Sequence, residues 1–350
     1  MNFASDNWWG VAPKIMDAIS SENNGSSPAY GGDDRTAKAK SRLSEVFECE
    51  CEVFFVSTGG AANGLALSVL SPPYGMIVCH EDSHIQMDEC GGPEFFSSGA
   101  KLLPIRGDHG KLTATGVIKA LDGFPHRPPH GAPASALSLT QGTETGTIYS
   151  IDEISELCAV AHARGLSVHM DGARFANAVA ATGAAPAELS WRAGVDVLCF
   201  GGTKNGCLAA EAIIFFKREL AGDVEFRRKR AGHLWSKMRF IAAQFDAYLD
   251  REYWLELAGH ANFMAKTLSD GLAQIDGVNV LFETEINEVF VSFPNGVAEK
   301  LRNDGATFYP WVTPGVSRDA CAQRLITSFQ TSQSDVEKFL DHVQTQCNKP

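Results

Sequence analysis

The stretch LSVHMDGAR, residues 166–174, indicates the fold class of this chain of 350 residues. It begins with a short, largely apolar run of the length of a buried strand, and the carboxylate of Asp171 follows directly. Strands that helices cover on both faces are apolar along most of their length. In an open parallel sheet, ligands bind beyond the carboxyl ends of the strands. The stretch therefore predicts a buried parallel strand that delivers Asp171 to a ligand site.

Six further apolar runs alternate with helical patterns over the first two thirds of the chain. This alternation predicts an α/β fold in which a mostly parallel, seven-stranded sheet lies between layers of helices. The predicted strands are residues 53–57, 76–79, 102–105, 136–140, 166–170, 195–200 and 212–216. The predicted helices are residues 61–70, 113–121 and 152–164 and a segment after Arg174.

The last third of the chain predicts a second, smaller unit. A mainly helical stretch covers residues 223–274, and strands are predicted near residues 278–282, 288–293 and 324–328. A helix near residues 297–303 and a last helix from Ser334 complete a small C-terminal α/β domain. The predicted division is an N-terminal arm with a cofactor-binding large domain over residues 1–248 and the small domain over residues 249–350. A length of 350 residues fits two domains.

Composition narrows the possible partners and compartments. The formal net charge is 30 − 42 = −12, which disfavours binding to nucleic acid. No stretch of 18 uncharged apolar residues is present, so no membrane span is predicted. The nine cysteines form no CxxC pair, and the N-terminus has no basic region followed by an apolar run. These features predict reduced thiols and a cytoplasmic protein.

Two further segments carry chemistry that complements Asp171. Lys204 follows the run at 195–200 in a turn with three glycines, and the hydroxyl of Thr203 lies beside it in the sequence. Gly59 and Gly60 lie between a strand and a helix start, where free N–H groups bind phosphate. A lysine, a carboxylate and a phosphate site together fit pyridoxal 5'-phosphate: the lysine forms a Schiff base, and the carboxylate keeps the pyridine nitrogen protonated.

Each of these features also has a simpler explanation. A lysine in a glycine turn is usually a solvated loop residue, and Asp171 could cap the helix that follows it. Neither the GxGxxG spacing nor the phosphate-binding lysine motif of nucleotide-binding loops is present. It is the order of phosphate turn, strand-end aspartate and strand-end lysine that favours the cofactor site.

With these segments the chain resembles the fold-type I pyridoxal-phosphate enzymes of the threonine aldolase and β-eliminating lyase group. It is most similar to the low-specificity L-threonine aldolases, including phenylserine aldolases, in the segments DGARFAN (171–177) and GGTKNG (201–206). The resemblance covers almost the whole chain. It implies Lys204 as the catalytic Schiff-base lysine, Asp171 as the partner of the pyridine nitrogen, and Gly59, Gly60 and Thr203 around the phosphate.

The resemblance also implies a set of substrate-binding residues. Ser5, Arg174 and Arg324 would bind the substrate carboxylate, and Arg174 is counted among the cofactor-binding residues as well. An amino acid substrate carries a carboxylate, which a guanidinium matches with two hydrogen bonds. Taken singly, each arginine would more often form a surface ion pair, but together with the other motifs the substrate role is favoured.

His84 is implied to lie on the face of the pyridoxal ring, where it could act as a catalytic residue and contact the substrate hydroxyl. A structural histidine is the alternative. The segment from His80 to His84 also matches the HExxH pattern of zinc proteases. That pattern requires both histidines on one helix, whereas His80 ends an apolar run here, so no metal site is predicted.

The sequence departs from many threonine aldolases after the strand at 136–140. Where those enzymes carry a histidine that could contact the substrate hydroxyl, this chain has TQGTET with Glu144 near that position. His130, in the Pro/His-rich loop just upstream, is predicted to supply the missing imidazole, with His126 as a less favoured substitute. Glu144 and a bound water are the other candidates for the group that takes the hydroxyl proton.

The predicted function is cleavage of L-β-hydroxy-α-amino acids, such as threonine, allo-threonine and phenylserine, to glycine and an aldehyde. The alternatives are a β-eliminating lyase or an aminotransferase with the same cofactor, or a binding protein that has lost turnover. The family resemblance implies a homodimer or homotetramer with shared active sites.

Overall fold

The computed structural model describes residues 1–124, 127–311 and 322–348. Seven strands form one sheet in the order β1-β7-β6-β5-β4-β2-β3. Six of them run in one direction, and β7 is antiparallel to both of its neighbours. The strands are β1 Glu52–Val56, β2 Met76–His80, β3 Lys101–Ile105, β4 Ala134–Thr140, β5 Ser167–Gly172, β6 Val197–Gly201 and β7 Glu211–Phe215. The predicted α/β class with a mostly parallel seven-stranded sheet is thereby confirmed.

Helices cover both faces of this sheet because successive residues of a strand point to opposite faces. In β6, Val197 and Cys199 pack against α3 on one face, and Leu198 and Phe200 pack into the larger core on the other. The helices of this part of the chain are α1 Pro13–Glu22, α2 Asp34–Val46, α3 Gly59–Leu70, α4 His84–Met87, α5 Gly92–Phe96, α6 Ala114–Gly123, α7 Ile151–His162, α8 Phe175–Thr182, α9 Val224–Arg230 and α10 Arg239–Leu249.

A second sheet follows, with the strand order β10-β11-β9-β8. Every neighbouring pair in it is antiparallel. Its strands are β8 Asn279–Val280, β9 Glu288–Ser292, β10 Tyr309–Pro310 and β11 Ala322–Ile326, and the helices beside it are α11 Tyr253–Leu272, α12 Val297–Asn303 and α13 Gln333–Cys347. These elements form the small α/β unit that the sequence predicts.

Two segments connect the two units. Helix α11 contributes Leu257 and Ala258 to the core of the large sheet and residues from Met264 onward to the core of the small sheet. The N-terminal arm also reaches the small sheet: the Phe3 N–H donates to the Thr307 carbonyl at 2.8 Å, and the Phe3 ring lies 5.0 Å from that of Phe339. The division at residue 248 stays a prediction. Residues at both ends of the chain build the second core.

Among the described residues, no helix has the combination of length and apolar character that crossing a membrane requires.

Candidate active site

Five strand ends of the large sheet meet at a cavity of ≈ 480 Å³. Strand register brings them together: Thr140 pairs with Asp171, and Gly201 pairs with Glu211 at the start of the antiparallel β7. Ten of the residues singled out from the sequence line this cavity, namely Ser5, Gly59, Gly60, His84, Glu144, Asp171, Arg174, Thr203, Lys204 and Arg324. Side chains that sequence reasoning did not single out lie among them: Asn7, Asn63, Asp88, Glu211, Glu288 and Trp311.

Lys204 lies in a tight turn between β6 and β7. The neighbouring Asn205 anchors the turn, because its side-chain amide donates to the Tyr248 hydroxyl at 2.7 Å and to the Trp254 carbonyl at 2.8 Å. The turn also needs glycine at Gly206, which has a φ of +103° and whose added Cβ would lie 3.0 Å from the Cβ of Ala12. The glycine turn therefore holds Lys204 at the cavity wall by packing rather than in solvent.

Asp171 lies at the end of β5 and is buried. Its Oδ1 accepts the Ala173 N–H at 2.9 Å, and its Oδ2 accepts the Asn63 side-chain amide at 2.8 Å. Burial alone would raise the pKa of Asp171, but His84, the Ala173 N–H and Lys204 outweigh burial and hold that pKa below its ordinary value. An ionised, buried carboxylate of this kind can keep a pyridine nitrogen protonated.

The N-terminus of α3 provides the phosphate end of the site. The Thr58 side chain caps this 12-residue helix by accepting the Ala61 N–H at 3.3 Å. A Cβ added at Gly59 would meet no atom within 4 Å, so the backbone at the helix start is open to the cavity. Helix N-termini bind phosphate through such N–H groups. With Thr203, Lys204 and Asp171 at the same cavity, these residues fit pyridoxal 5'-phosphate.

The two candidate carboxylate-binding arginines differ in their surroundings. Arg174 donates to both oxygens of Asp6, from Nε at 2.9 Å and from Nη2 at 3.2 Å, and lies 3.4 Å from a Glu288 oxygen. Asp6 is buried, and it also accepts the Asn287 side-chain amide at 3.1 Å. Burial would raise the pKa of Asp6, but Arg174 and Lys204 hold it below its ordinary value. The N-terminal arm therefore already neutralises much of Arg174.

Arg324 keeps more donor capacity for a ligand. Its guanidinium stacks over the Trp311 ring at 4.2 Å, and its buried Nε has no hydrogen-bond partner among the described residues. Burial lowers the pKa of Arg324, and Glu288 partly offsets that effect. Ser5 lines the same cavity, and its hydroxyl accepts the Asn7 N–H at 3.1 Å. A substrate carboxylate would supply the acceptor that Arg324 lacks.

His84 is the first residue of α4 and is held by two glutamates. Its Nδ1 lies 2.9 Å from Glu89 Oε1, and its backbone N–H donates to Glu144 Oε1 at 2.8 Å. The hydrogen bond to Glu89 raises the pKa of His84, and Asp171 adds to that effect, while burial and Lys204 oppose it. Sequence reasoning missed Glu89, and its position five residues after His84 was the one signal that could have pointed to it.

Glu144 lines the cavity and connects the end of β4 to the start of α4. Besides the His84 N–H, its Oε1 accepts the Thr140 hydroxyl at 2.9 Å. Burial raises the pKa of Glu144 to about 7. Its second oxygen, Oε2, is buried and has no hydrogen-bond partner within the described part of the chain.

The structure does not bring His130 to this cavity. His130 is exposed in a turn where its N–H donates to the Arg127 carbonyl, four residues before β4 begins. The cavity lies at the other end of β4, beyond Thr140. The prediction that His130 supplies an imidazole to its own chain's site is therefore not supported, and such a role would need a neighbouring subunit. His126 lies outside the described residues.

The zinc-protease alternative is contradicted by the geometry. His80 ends β2 and His84 begins α4, so the two histidines do not share a helix. His80 also uses both ring nitrogens, with Nε2 3.0 Å from the Gly107 carbonyl and Nδ1 accepting the Asp82 N–H at 3.1 Å. Within the described ranges, one group of side chains has metal-ligand spacing, His84, Glu89 and Asp171. It belongs to the cavity already described, and Asn63 bonds both of its carboxylates.

Comparisons with known proteins agree with this site. Residues 2–294 match the family model described as Beta-eliminating lyase. The low specificity L-threonine aldolase of Pseudomonas sp. is 45% identical over 320 residues, which cover 91% of this chain and 92% of the relative. A solved threonine aldolase of Leishmania major superposes with a TM-score of 0.92 at 26% identity, covering 99% of both chains. The serine palmitoyltransferase of Sphingomonas wittichii shares the fold alone, with a TM-score of 0.74, 14% identity, and coverage of 99% of this chain and 86% of that one.

Proposed function

Because this chain belongs to the β-eliminating lyase family, we propose that it cleaves L-β-hydroxy-α-amino acids to glycine and an aldehyde with pyridoxal 5'-phosphate as its cofactor. The observation that carries the proposal is the convergence of Lys204, Asp171, the start of α3 and Arg324 on one cavity. The similarity to threonine aldolases that the segments DGARFAN and GGTKNG predict is confirmed by the 45% identity to the Pseudomonas enzyme.

Five residues would hold the cofactor at its two ends. Lys204 would supply the amine that attaches it, and Asp171 would accept a hydrogen bond from the protonated ring nitrogen. Gly59 and Gly60 offer backbone N–H groups to the phosphate, and Thr203 adds a hydroxyl beside them. When bound, pyridoxal phosphate supplies an electron sink for the pair released as the Cα–Cβ bond breaks.

The substrate carboxylate would lie against Arg324, with Arg174 and Ser5 beside it. A guanidinium stacked on an indole is fixed in orientation, so it loses little freedom when it forms its two hydrogen bonds. Asp6 and Glu288 keep the local charge near neutral before substrate arrives. This arrangement supports the recognition of an α-amino acid by its carboxylate.

The reaction requires two proton movements that balance. The β-hydroxyl gives up its proton as the C–O bond becomes a carbonyl, and the Cα of glycine gains one proton after the Cα–Cβ bond breaks. The wall of the cavity must therefore offer one group that accepts the hydroxyl proton.

Product analysis tests this function. The purified protein, supplied with the cofactor, is expected to convert L-threonine to equal amounts of glycine and acetaldehyde. Release of ammonia with a keto acid would instead identify β-elimination, and a requirement for an added keto acid would identify transamination. K204A serves as the control and is expected to form no product above the rate of the cofactor in solution.

We extend the proposal to allo-threonine and phenylserine as substrates. A cavity of ≈ 480 Å³ with Trp311 in its wall is large enough to receive an aromatic side chain. A kcat/KM for L-phenylserine within about 100-fold of that for L-threonine supports this extension, and no benzaldehyde from phenylserine contradicts it.

We also propose a homodimer or homotetramer in the cytoplasm. Tyr74, Phe95 and Phe226 are each more than 70% exposed, and Phe226 lines a second cavity of ≈ 680 Å³ with Pro72 and Pro73. An exposed apolar side chain at the wall of a concavity, such as Phe226, favours contact with another copy of the chain. The cysteines in the described residues are free thiols, in keeping with a reducing compartment.

A further inference from the structure

The imidazole of His84 has one edge fixed in the protein and the other directed to the cavity. Its Nδ1 bonds Glu89, whose side chain is 3% exposed, whereas the His84 side chain is 41% exposed and lines the cavity. Nδ1 is thus the buried end of the ring. Nε2 makes no hydrogen bond with the described residues, which leaves it available to a ligand.

The hydrogen bonds of Asn63 favour His84 as the donor in its bond with Glu89. The Asn63 side-chain amide donates to Glu89 Oε1 at 2.8 Å and to Asp171 Oδ2 at 2.8 Å. Both of these oxygens therefore act as acceptors. When Glu89 is ionised it has no proton to donate, so His84 Nδ1 carries the proton in the hydrogen bond between them. In the neutral ring, Nε2 then holds the lone pair.

We propose that Glu89 is a positioning residue for aldol cleavage: it fixes the His84 tautomer whose Nε2 faces the cavity and accepts the β-hydroxyl proton of the substrate. This inference rests on the proposed function, and neither Glu89 nor Asn63 was singled out from the sequence. Asn63 connects the two parts of the site. Its side-chain amide donates both to Asp171, the expected partner of the cofactor ring nitrogen, and to Glu89, the partner of His84.

The other carboxylates considered in the cavity wall already accept hydrogen bonds within the protein. Glu144 Oε1 already accepts two hydrogen bonds, from His84 N–H and the Thr140 hydroxyl, so it holds the His84 backbone in place. Asp171 is bonded by Asn63 and Ala173. Glu144 Oε2 has no hydrogen-bond partner among the described residues, but it is buried, whereas the His84 side chain is 41% exposed and lines the cavity. His84 Nε2 is therefore the acceptor best placed for a substrate hydroxyl.

The proton count of the step is balanced. The hydroxyl proton moves to Nε2, and the O–H electron pair becomes part of the new carbonyl as the Cα–Cβ bond breaks. His84 is then an imidazolium stabilised by Glu89, and it loses its proton again when Cα of glycine gains one. The charged groups facing His84 are Glu89, Asp171, Glu144 and Lys204, and the hydrogen bond to Glu89 makes the largest contribution to the raised pKa of His84.

Two substitutions separate the charge of Glu89 from its hydrogen bond. E89Q keeps an acceptor oxygen at the position of Oε1 but removes the negative charge, so the pKa of His84 should fall. The acid limb of the pH dependence of kcat/KM, which reports loss of the neutral base, should then move to lower pH by roughly 0.5 to 1 unit. E89L removes the acceptor as well, and its kcat should fall about 10- to 100-fold, as for other partners that orient a histidine.

A readout independent of turnover is the tautomer of His84 in the cofactor-free protein. Histidine labelled with ¹⁵N in the ring, with the His84 resonances assigned by their loss in H84N, distinguishes protonated from unprotonated ring nitrogens. The wild type and E89Q are expected to show protonated Nδ1, and E89L a shift toward protonated Nε2. E156Q, an exposed glutamate on α7, is the matched control and should leave both the tautomer and the pH profile unchanged.

Unchanged ¹⁵N shifts in E89L, or an unmoved acid limb in E89Q, would overturn the inference and leave Glu89 a structural residue. If E89L does not fold, the acid limb of kcat/KM in E89Q still tests whether Glu89 acts on His84. Failure of the proposed function gives a different result, because the wild type would then release no aldehyde while the tautomer of His84 could still be read.

Discussion

Arg174 and Arg324 lie in the same cavity but differ in the charge available to a ligand. Arg174 is paired with both oxygens of Asp6, which the N-terminal arm brings to the strand ends. Arg324 has an unpartnered Nε among the described residues and a fixed orientation over Trp311. Of the two, Arg324 gains more from a substrate carboxylate.

Replacing Arg324 should therefore weaken substrate binding. R324Q is expected to raise the KM for L-threonine about 10- to 100-fold with a smaller effect on kcat, since a charge-assisted hydrogen bond contributes about 1.5 to 3 kcal/mol. R324K keeps the charge but loses the planar guanidinium, so its KM should lie between those of the wild type and R324Q. Steady-state kinetics measures both, with R164Q, which lies near Asp122 on the surface, as the control. An unchanged KM in R324Q would remove Arg324 from the substrate site.

Glu144 predicts a pH dependence of stability. Its pKa is about 7 in the folded chain because of burial, above the ordinary value of 4.5. A carboxyl whose pKa is raised on folding contributes stability that is fully present below about pH 4.5 and is lost as the pH rises through about 7, because the folded state binds more protons over this range.

E144Q removes this titration and keeps an acceptor oxygen for the His84 N–H. Between pH 5 and pH 8, the free energy of unfolding of the cofactor-free wild type should fall by on the order of 2 kcal/mol more than that of E144Q. Urea unfolding at the two pH values measures this difference. Equal losses in the two proteins would show that Glu144 titrates normally.

The predicted residues that the structure brings to the cavity include some next to strong local patterns. Asp171 and Lys204 each follow an apolar run, so the sequence alone places both at one edge of a sheet. Asn63, Asp6 and Glu288 could not be found in this way, because their roles arise from pairing between distant segments. Glu89 lies five residues after His84, but it follows no apolar run that would mark it. His130 precedes β4, and a seven-residue strand spans about 23 Å, which puts this residue at the far edge of the sheet.

Among the secondary-structure elements, helix α7 shows how local sequence fixes a boundary. The Ser150 hydroxyl accepts the Glu153 N–H at 3.2 Å, and the Glu153 carboxylate accepts the Ser150 N–H at 2.7 Å, which forms a capping box. Two otherwise unsatisfied N–H groups are thereby bonded at the start of the helix. The predicted helix begins at residue 152, one residue from the observed start at Ile151.

S150A should lower the free energy of unfolding by about 1 kcal/mol, the usual cost of losing an N-cap. S155A on the same helix is the matched control: its hydroxyl bonds the Ile151 carbonyl at an exposed position, and its loss should change stability by less than about 0.5 kcal/mol. Chemical unfolding of both variants measures the two changes in the free energy of unfolding. Equal effects in the two would mean that the capping box contributes little.

The strands of the large sheet could be predicted because each is a compact apolar run. The direction of β7 could not, since a buried antiparallel strand has the same composition as its parallel neighbours. In the small sheet, β8 and β10 are two residues each, too short to carry a pattern of their own.

Across the whole molecule, the N-terminal arm joins the two units at the active site. Phe3 packs in the small core, and Asp6 pairs with Arg174 of the large unit. Ser5 lies between them at the cavity wall. The geometry of the site therefore depends on residues from the beginning, the middle and the end of the chain.

The exposed ring of Phe226 at the wall of the second cavity predicts self-association. A chain of 37.7 kDa should sediment as a dimer or tetramer, and F226E should shift it toward smaller species, because a charge in an apolar interface must lose its hydration. F263E, at an exposed position on α11, is the matched control and should leave the size unchanged. Analytical ultracentrifugation distinguishes these outcomes, and a monomeric wild type would contradict the proposed assembly.

Every proposed step depends on Lys204 holding pyridoxal phosphate for cleavage of a β-hydroxy amino acid. The decisive experiment follows the visible absorption of the purified, cofactor-supplied protein while L-threonine is added and acetaldehyde is recorded in the same cuvette. We expect a band that changes with substrate as acetaldehyde forms, with both the substrate response and the aldehyde lost in K204A. A wild-type protein that develops no visible band with the cofactor, or K204A turning over at the wild-type rate, would contradict this role of Lys204.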